Sequence, residues 1–269
     1  MNTSDSVFAG DQSLVDLVLH AGSFGKTWYE MGRAIVNLYS RLMFDLNVHY
    51  KSKLPAGAKI LACNHPSTDD PILLTLVTPE QMSILITERL FKVPICGPSL
   101  RLTGHIEVLL ENGRPALEEG IRALNEGRTV GIFPEGTISP ACGGGCPSHT
   151  GVARLALSSG APVIPVGIAL EPSRLWRRNT TVDGNIDMAA WYLSGPYAIT
   201  VGEPLAFSGD PNDRQLGRAV TDQVMQQIAA LSAESAHRIL AIQAQNARAV
   251  QPIEASLVFR LMRFLLNPI

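Results

Sequence analysis

The pattern that most constrains the fold is an alternation of short apolar runs with helical stretches between residues 51 and 208. The apolar runs have the length of β-strands and are "AKILAC", "MSILIT", "RTVGIF", "PVIPVGIAL" and "YAITVGEP". The stretches between them that are typical of helices are "DPILLTLV", "GRPALEEGIRALNEG" and "HTGVARLALSSG", with Gly127 and Gly160 where helices end. Alternating strands and helices predict an α/β fold, a largely parallel mixed sheet flanked by helices.

Helical patterns flank this region on both sides. Residues 27–48 carry apolar side chains at steps of three and four, which predicts an amphipathic helix that can contact a membrane: Trp28, Met31, Ile35, Leu38 and Leu42. We therefore expect a helical membrane-associating segment at 1–50, the α/β domain at 51–208 and a helical segment at 209–269.

The C-terminal segment offers two further signals. Asp210 can cap a helix whose first position is Pro211. The tail at 255–268 is apolar except for Arg260 and Arg263 on one narrow face. Such a helix suits either a membrane interface or the protein core with its arginines in solvent, and the pattern does not separate the two.

The composition excludes several classes of protein. With 46% apolar and 17% charged residues, the chain is not a disordered protein, and its net charge of -2 gives no reason to expect nucleic acid binding. The sequence has neither a secretory signal nor the roughly 18 uninterrupted apolar residues of a spanning helix. We expect a cytosolic protein that is soluble, or peripheral or monotopic on the cytoplasmic side of a membrane.

The four cysteines are too sparse for a disulfide scaffold. Cys142 and Cys146 bracket a glycine run and can form a disulfide, share a metal with His105 and His149, or stay as free thiols. Because the spacing fits no strong metal signature, we expect no metal site.

Two polar turns follow predicted strands. In "ACNHPSTDDP", His65 ends one strand, and Asp70 either caps the next helix or holds a histidine ring nitrogen so that His65 acts as a general base. In "GIFPEGTIS", a proline, an acid, a glycine and hydroxyls follow another strand. Turns after two parallel strands meet at one edge of the sheet, where ligands bind in α/β folds. The chain has no G-x-S-x-G nucleophile motif, so the histidine and the carboxylate suggest direct attack by a substrate hydroxyl.

The run "APVIPVGIAL" contains two prolines. Since proline cannot donate to a β-ladder, this pattern predicts a strand that enters or leaves an irregular turn rather than a central strand.

Together these motifs resemble those of the glycerolipid acyltransferases, in particular the 1-acylglycerol-3-phosphate O-acyltransferase (lysophosphatidic acid acyltransferase) family. The resemblance covers residues 28–208 and rests on H-x4-D at His65 and Asp70, F-P-E-G-T at 133–137 and "PVIPV" at 162–166. It implies transfer of a fatty acyl group from acyl-CoA or acyl-carrier protein to a lysolipid hydroxyl in phospholipid biosynthesis at a membrane surface. No cofactor is implied beyond the donor thioester.

The resemblance also implies roles for individual residues. His65 would be the general base and Asp70 its orienting partner. The expected substrate-binding residues are Gly104, Phe133, Pro134, Glu135, Gly136 and Thr137. Similar enzymes carry basic residues where this chain has Leu110, Ile138 and Thr150, and Arg101, Arg114 or Arg154 can replace the missing cations. The basic cluster "RLWRRN" at 174–179 either contacts headgroups or CoA phosphates or is an exposed loop.

The departures leave the acceptor open between 1-acylglycerol-3-phosphate, another lysolipid and an alcohol without phosphate. They also leave two rival functions: a catalytically weak lipid-binding member of the family, and a thioesterase-like hydrolase in which water replaces the acceptor.

Overall fold

The computed structural model describes residues 9–139, 148–182 and 185–249. The helices are α1 (Ala9–Met43), α2 (Asp70–Leu74), α3 (Glu88–Phe91), α4 (Cys96–Leu102), α5 (Arg114–Asn125), α6 (Gly151–Ser159) and α7 (Arg214–Ala249). The strands are β1 (Phe44–Tyr50), β2 (Lys59–Cys63), β3 (Met82–Thr87), β4 (Ile106–Val108), β5 (Thr129–Ile132), β6 (Val163–Leu170), β7 (Leu175–Val182), β8 (Asn185–Tyr192) and β9 (Gly195–Val201).

Seven of the strands in these ranges form one sheet in the order β1-β9-β6-β2-β5-β3-β4. All neighbouring pairs are parallel except β6 and β9, which are antiparallel. Strands β7 and β8 form a separate antiparallel hairpin. The predicted α/β class with a largely parallel mixed sheet is therefore confirmed.

Helices cover both faces of the sheet because the buried strands are apolar on both sides. In β2, Leu61 and Cys63 join the core that also contains α2 residues, whereas Ile60 and Ala62 join the core with α5, α6 and α7 residues. Helix α7 lies so close to β6 that a Cβ on Gly167 would come within 2.1 Å of the Ser232 backbone nitrogen. The absence of a side chain at this glycine permits the close contact.

Three boundaries of the flanking helices differ from the prediction. The helix predicted at 27–48 begins at Ala9 and ends at Met43, and Phe44–Tyr50 form the edge strand β1 paired with β9. Helix α7 begins at Arg214, and the side chain of Asp213 rather than Asp210 accepts the amides of its first turn. The Asp210 carboxylate instead accepts the amide of Asn212 in the preceding turn.

The prediction for the proline-containing run was wrong, because β6 lies inside the sheet between β2 and β9. Pairing with β2 covers Val163 to Val166, and pairing with β9 starts only at Val166. Pro165 precedes the β9 pairing, so its missing N–H removes no ladder bond to that strand.

For the basic cluster at 174–179, the alternative of an exposed loop is wrong, since residues from Leu175 onward form strand β7. Contact with headgroups or CoA phosphates stays a prediction. Both Cys142 and Cys146 lie outside the described residues, and so does the tail at 255–268. Within the described ranges, no helix combines the length and the apolarity that a membrane crossing needs.

Candidate active site

Two loops meet at the carboxyl-terminal edge of the central strands. His65 follows β2, and the segment from Phe133 to Ser139 follows the neighbouring parallel strand β5. Two hydrogen bonds join the loops: the Ser139 amide donates to the His65 carbonyl at 2.7 Å, and the His65 amide donates to Ser139 Oγ at 3.2 Å. The two sequence motifs therefore form one site.

The Asp70 carboxylate does not cap helix α2. It is fully buried, and its Oδ2 lies 2.8 Å from His65 Nδ1. The Ser67 amide donates to the same oxygen at 2.7 Å. Because a carboxylate accepts and does not donate, this contact places the neutral imidazole proton on Nδ1 and leaves the Nε2 lone pair free.

The ring of His65 is also held by stacking. The Phe133 ring lies against it with centroids 4.4 Å apart and an interplanar angle of 28°. The imidazole is only 17% exposed. Packing on one side and a hydrogen bond at Nδ1 fix the ring, which is what a base that must meet a substrate proton requires.

Glu135 is a buried carboxylate beside this histidine. The Ser139 hydroxyl donates a short hydrogen bond to Glu135 Oε2. Burial raises the pKa of the Glu135 carboxyl, partly offset by the Ser139 hydrogen bond and the charge of His65. The cost of burying this acid supports a role in the site rather than in packing.

The turn after Glu135 has a local explanation. Gly136 has φ of +67°, and a Cβ there would come within 2.9 Å of the His149 ring. The His149 amide donates to the Pro134 carbonyl at 2.8 Å. Thr137 is exposed at the end of this turn. The glycine is therefore required by both the backbone angle and the neighbouring ring.

Asp69 is a site residue that the sequence analysis did not single out. It is 5% exposed, and its Oδ2 accepts the Tyr192 amide at 2.9 Å and the Ser67 hydroxyl at 3.1 Å. Burial raises the pKa of Asp69 to about 6. The sequence signal for Asp69 was its place in the motif, directly before Asp70. Burying two adjacent carboxylates costs free energy, which favours a functional role for the pair.

The hairpin β7–β8 holds the His65–Asp70 loop from outside. Ala190 exchanges backbone and side-chain hydrogen bonds with Thr68, at 2.7 and 3.0 Å. From the other strand, Arg177 Nη2 donates to the Ser139 carbonyl at 3.4 Å. The hairpin thus touches both motif loops.

Three predicted substrate-binding residues lie away from His65. Gly104 precedes β4 and has Gln81, Ser83 and Arg128 as neighbours, so it sits at the opposite edge of the sheet, and its predicted role has no support in its position. Arg101 lies beside the outer strand β4, where it bonds to Glu107 and to the Phe91 carbonyl.

Arg114 begins α5 at the same edge as His65, but β4 is three strands from β2, about 14 Å at normal strand spacing. Its guanidinium is exposed and pairs with Glu118. Leu110, where a cation was expected, follows β4 and is 57% exposed.

His105 is not near the motif loops either. Its Nδ1 accepts the Ile84 amide at 3.2 Å, and burial lowers the pKa of His105 to about 4. In the described part of the chain, no group of three or more histidines, cysteines or acids is arranged to hold a metal.

Comparison with known proteins extends these observations. Residues 45–169 match a family model described as Acyltransferase. The chain is 27% identical over 189 residues to the 1-acyl-sn-glycerol-3-phosphate acyltransferase of Bacillus subtilis (strain 168), covering 68% of this chain and 86% of that protein. It is 30% identical over 110 residues to the enzyme of the same name from Borreliella burgdorferi, covering 40% of this chain and 44% of that protein.

The fold has a counterpart among solved structures. The crystal structure of the 1-acyl-sn-glycerophosphate (LPA) acyltransferase PlsC from Thermotoga maritima superposes with a TM-score of 0.50 at 23% identity. The match covers 77% of this chain and 80% of that chain.

Proposed function

The chain carries an acyltransferase domain at residues 45–169, and from that premise we propose that the protein transfers a fatty acyl group from acyl-CoA or acyl-carrier protein to a lysolipid hydroxyl. The acceptor we favour is 1-acylglycerol-3-phosphate, the substrate in the names of the relatives from B. subtilis and B. burgdorferi. The observation that carries the proposal is the 2.8 Å contact between His65 Nδ1 and buried Asp70.

In the proposed reaction, His65 Nε2 removes the proton from the acceptor hydroxyl as its oxygen attacks the thioester carbonyl carbon. The C–O bond forms, the tetrahedral intermediate collapses and the C–S bond breaks. The imidazolium then returns its proton to the leaving thiolate, so the products are an ester and a free thiol. Asp70 orients the ring and stabilises the imidazolium, and general base catalysis of this kind is typically worth about 10²–10⁴ in rate.

The second motif loop supplies acceptor positioning in this proposal. Glu135 is 8% exposed and is held by the Ser139 hydroxyl, which also receives the His65 amide. A carboxylate fixed beside the base can accept a hydrogen bond from a second hydroxyl of an acceptor that has one. In 1-acylglycerol-3-phosphate the only glycerol hydroxyl is the reacting one, so for this acceptor Glu135 would act by holding the loop through Ser139. No added cofactor is part of the proposed reaction, because the donor thioester supplies the activated acyl group.

A specific observation favours a second class of acceptor. At the edge where His65 lies, Leu110 is exposed and Ile138 half-buried at positions where an acceptor phosphate would be met by cations. An acceptor with no phosphate close to the reacting hydroxyl suits these side chains better. A substrate panel decides between lysophosphatidic acid and neutral or zwitterionic lysolipids.

The test is thiol release by purified protein with an acyl-CoA or acyl-carrier protein donor and each lysolipid. We expect acceptor-dependent thiol release that His65→Ala abolishes. The control is His49→Ala. His49 is exposed near the end of β1, and because β1 runs antiparallel to β2, that end lies at the sheet edge away from His65. Full turnover by His65→Ala refutes the mechanism, thiol release that ignores the lysolipid indicates a thioesterase, and lysolipid binding without thiol release indicates a lipid-binding protein.

We further propose that helix α1 brings the site to a membrane surface. Among residues with described side chains, α1 exposes an apolar stripe at steps of four and three: Phe24, Trp28, Met31, Ile35, Leu38 and Leu42. Its other side packs on the core through Tyr29, Val36, Tyr39 and Met43. Helix α1 also contacts α2, whose first residue is Asp70, so the helix that carries the stripe is a neighbour of the element that carries the orienting carboxylate.

Continuity with a second apolar feature supports this surface. Trp28 Nε1 donates to Ser99 on α4, and the loop before α4 presents Ile95 at 86% exposure and φ of +68°. A β-branched side chain held outward in a strained conformation points to contact with a partner.

Sedimentation with vesicles of anionic phospholipid tests the membrane proposal. Ile35→Ser with Leu38→Ser removes two side chains that are each about 60% exposed, at 62% and 60%. Since burial of such a side chain is worth about 1.5–3 kcal/mol, we expect binding to fall at least roughly ten-fold. Leu240→Ser removes an equally exposed leucine from α7 and is the control. Equal binding by both variants contradicts a role for the stripe.

A further inference from the structure

Both oxygens of the Asp70 carboxylate are occupied. Oδ2 receives the His65 ring and the Ser67 amide, as described above. Oδ1 receives the Tyr197 hydroxyl at 2.5 Å. In the described part of the chain, the partners of this buried acid are thus the base, one backbone amide and one tyrosine.

Tyr197 belongs to β9 and lies beyond the residues that match the family model. It is fully buried, with its ring 5.7 Å from the Phe44 ring and 6.2 Å from the Tyr192 ring. Burial and then the adjacent Asp70 charge hold the pKa of the Tyr197 hydroxyl well above its ordinary value. The hydroxyl therefore keeps its proton at the pH at which the enzyme works and acts only as a donor to Asp70.

We propose that Tyr197 is a positioning residue for the acyl transfer, fixing the Asp70 carboxylate so that Oδ2 stays aligned with His65 Nδ1. The inference rests on the proposed function, because it assigns the order Tyr197–Asp70–His65 within that mechanism. A donor on each oxygen prevents rotation of the carboxylate about its Cβ–Cγ bond. It also moderates the attraction of the carboxylate for the imidazolium, because the negative charge is shared with a second hydrogen bond.

The competing explanation is a tyrosine that only fills the core. The two roles predict different kinetics. Loss of a purely structural hydroxyl lowers the amount of folded enzyme, but the molecules that do fold keep the wild-type pH dependence of activity. Loss of a positioning hydroxyl lowers kcat and changes the pH at which the base becomes protonated.

The first test is Tyr197→Phe, which removes the hydroxyl and keeps the ring. A hydrogen bond to a charged group corresponds to a rate effect on the order of ten-fold. We expect kcat to fall about ten-fold with KM for the lysolipid unchanged within about two-fold. The acid limb of the kcat/KM profile moves to higher pH, because a carboxylate that loses a donor attracts the imidazolium more strongly.

The matched control is Tyr29→Phe. Tyr29 is also buried, at 4% exposure, and its hydroxyl is hydrogen-bonded, accepting the Met82 amide at 3.1 Å at the start of β3. This variant also loses a buried hydroxyl, but at the edge of the sheet away from His65. We expect it to keep the pH profile and the kcat of the wild-type protein per folded molecule.

Replacement of Tyr197 by 3-fluorotyrosine is the second test, and it retains the hydroxyl, so folding is preserved. The fluorine makes the phenol a stronger donor, so the acid limb moves in the opposite direction, to lower pH. The inference fails if Tyr197→Phe matches Tyr29→Phe in kcat and pH profile, or if both replacements at 197 shift the limb in the same direction. If His65→Ala retains turnover, the proposed function fails and this inference with it. If His65→Ala is inactive and only the 197 variants give these contrary results, the inference alone fails.

Discussion

Replacing Asp69 by Asn removes a charge that the folded protein keeps at a cost. Burial raises the pKa of Asp69 from 3.8 to about 6, a difference of about two units. At about 1.36 kcal/mol per unit, the ionised carboxylate destabilises the fold by roughly 3 kcal/mol at neutral pH.

The sign of the effect follows from proton binding. Between pH 4 and 6 the folded state holds the Asp69 proton more tightly than the unfolded state does. The contribution of Asp69 to the free energy of unfolding is therefore largest below pH 4. It is lost as the pH rises through about 6, where both states are ionised. We expect Asp69→Asn to equal the wild-type protein near pH 4 and to exceed its free energy of unfolding by roughly 3 kcal/mol near pH 7.

The Asn side chain can occupy the same network. With its oxygen at the position of Oδ2, it accepts both the Tyr192 amide and the Ser67 hydroxyl, as Asp69 does. The measurement is urea unfolding of both proteins at several pH values from 4 to 7.5. Asp45→Asn, at an exposed acid on β1, is the control and should change the free energy of unfolding at pH 7 by no more than about 0.5 kcal/mol. A flat difference for Asp69→Asn, or a variant less stable at pH 7, would refute the reasoning.

Gly167→Ala should destabilise the protein by several kcal/mol in the same urea assay, on the order of other overpacked cores, because its Cβ would meet the Ser232 backbone of α7. Gly217→Ala, on α7 with no atom within 4 Å of the new Cβ, should instead stabilise by up to about 1 kcal/mol, and equal effects of the two would contradict the packing argument. Ser139→Ala should lower thiol release about ten-fold, since Ser139 Oγ joins the His65 amide to the acid of the second motif; unchanged turnover would remove Ser139 from the site.

The core strands and the motif loops could be predicted because their signals are local. Apolar runs bounded by glycine, proline and polar residues mark β2, β3, β5, β6 and β9, and Gly160 ends α6 in the left-handed conformation, as expected. The end of α1 could not be predicted, because Phe44, Leu46 and Val48 continue the apolar spacing of the helix and also fit the two-residue period of a strand.

The hairpin and the carboxylate's second partner were missed for different reasons. The hairpin has mixed polarity, although the Asp-Gly pair at 183–184 is a sequence signal for a turn between strands. The contact of Tyr197 with Asp70 spans 127 positions and leaves no periodic trace in the sequence. Only the folded sheet, in which β9 returns beside β6, brings the two together.

The order of the sheet has a consequence for any attempt to reduce this protein to its motifs. A fragment ending at Leu170 would keep every motif residue but would lose β9, and with it the outer neighbour of β6 and the hydroxyl on Asp70 Oδ1. Strand β1 would also lose its partner in the sheet, because it pairs with β9. The motif residues lie in the first two thirds of the chain, but their site is complete only after β9 has been synthesised. A graft of the motif loops onto another scaffold would transfer His65 without the residues that orient it.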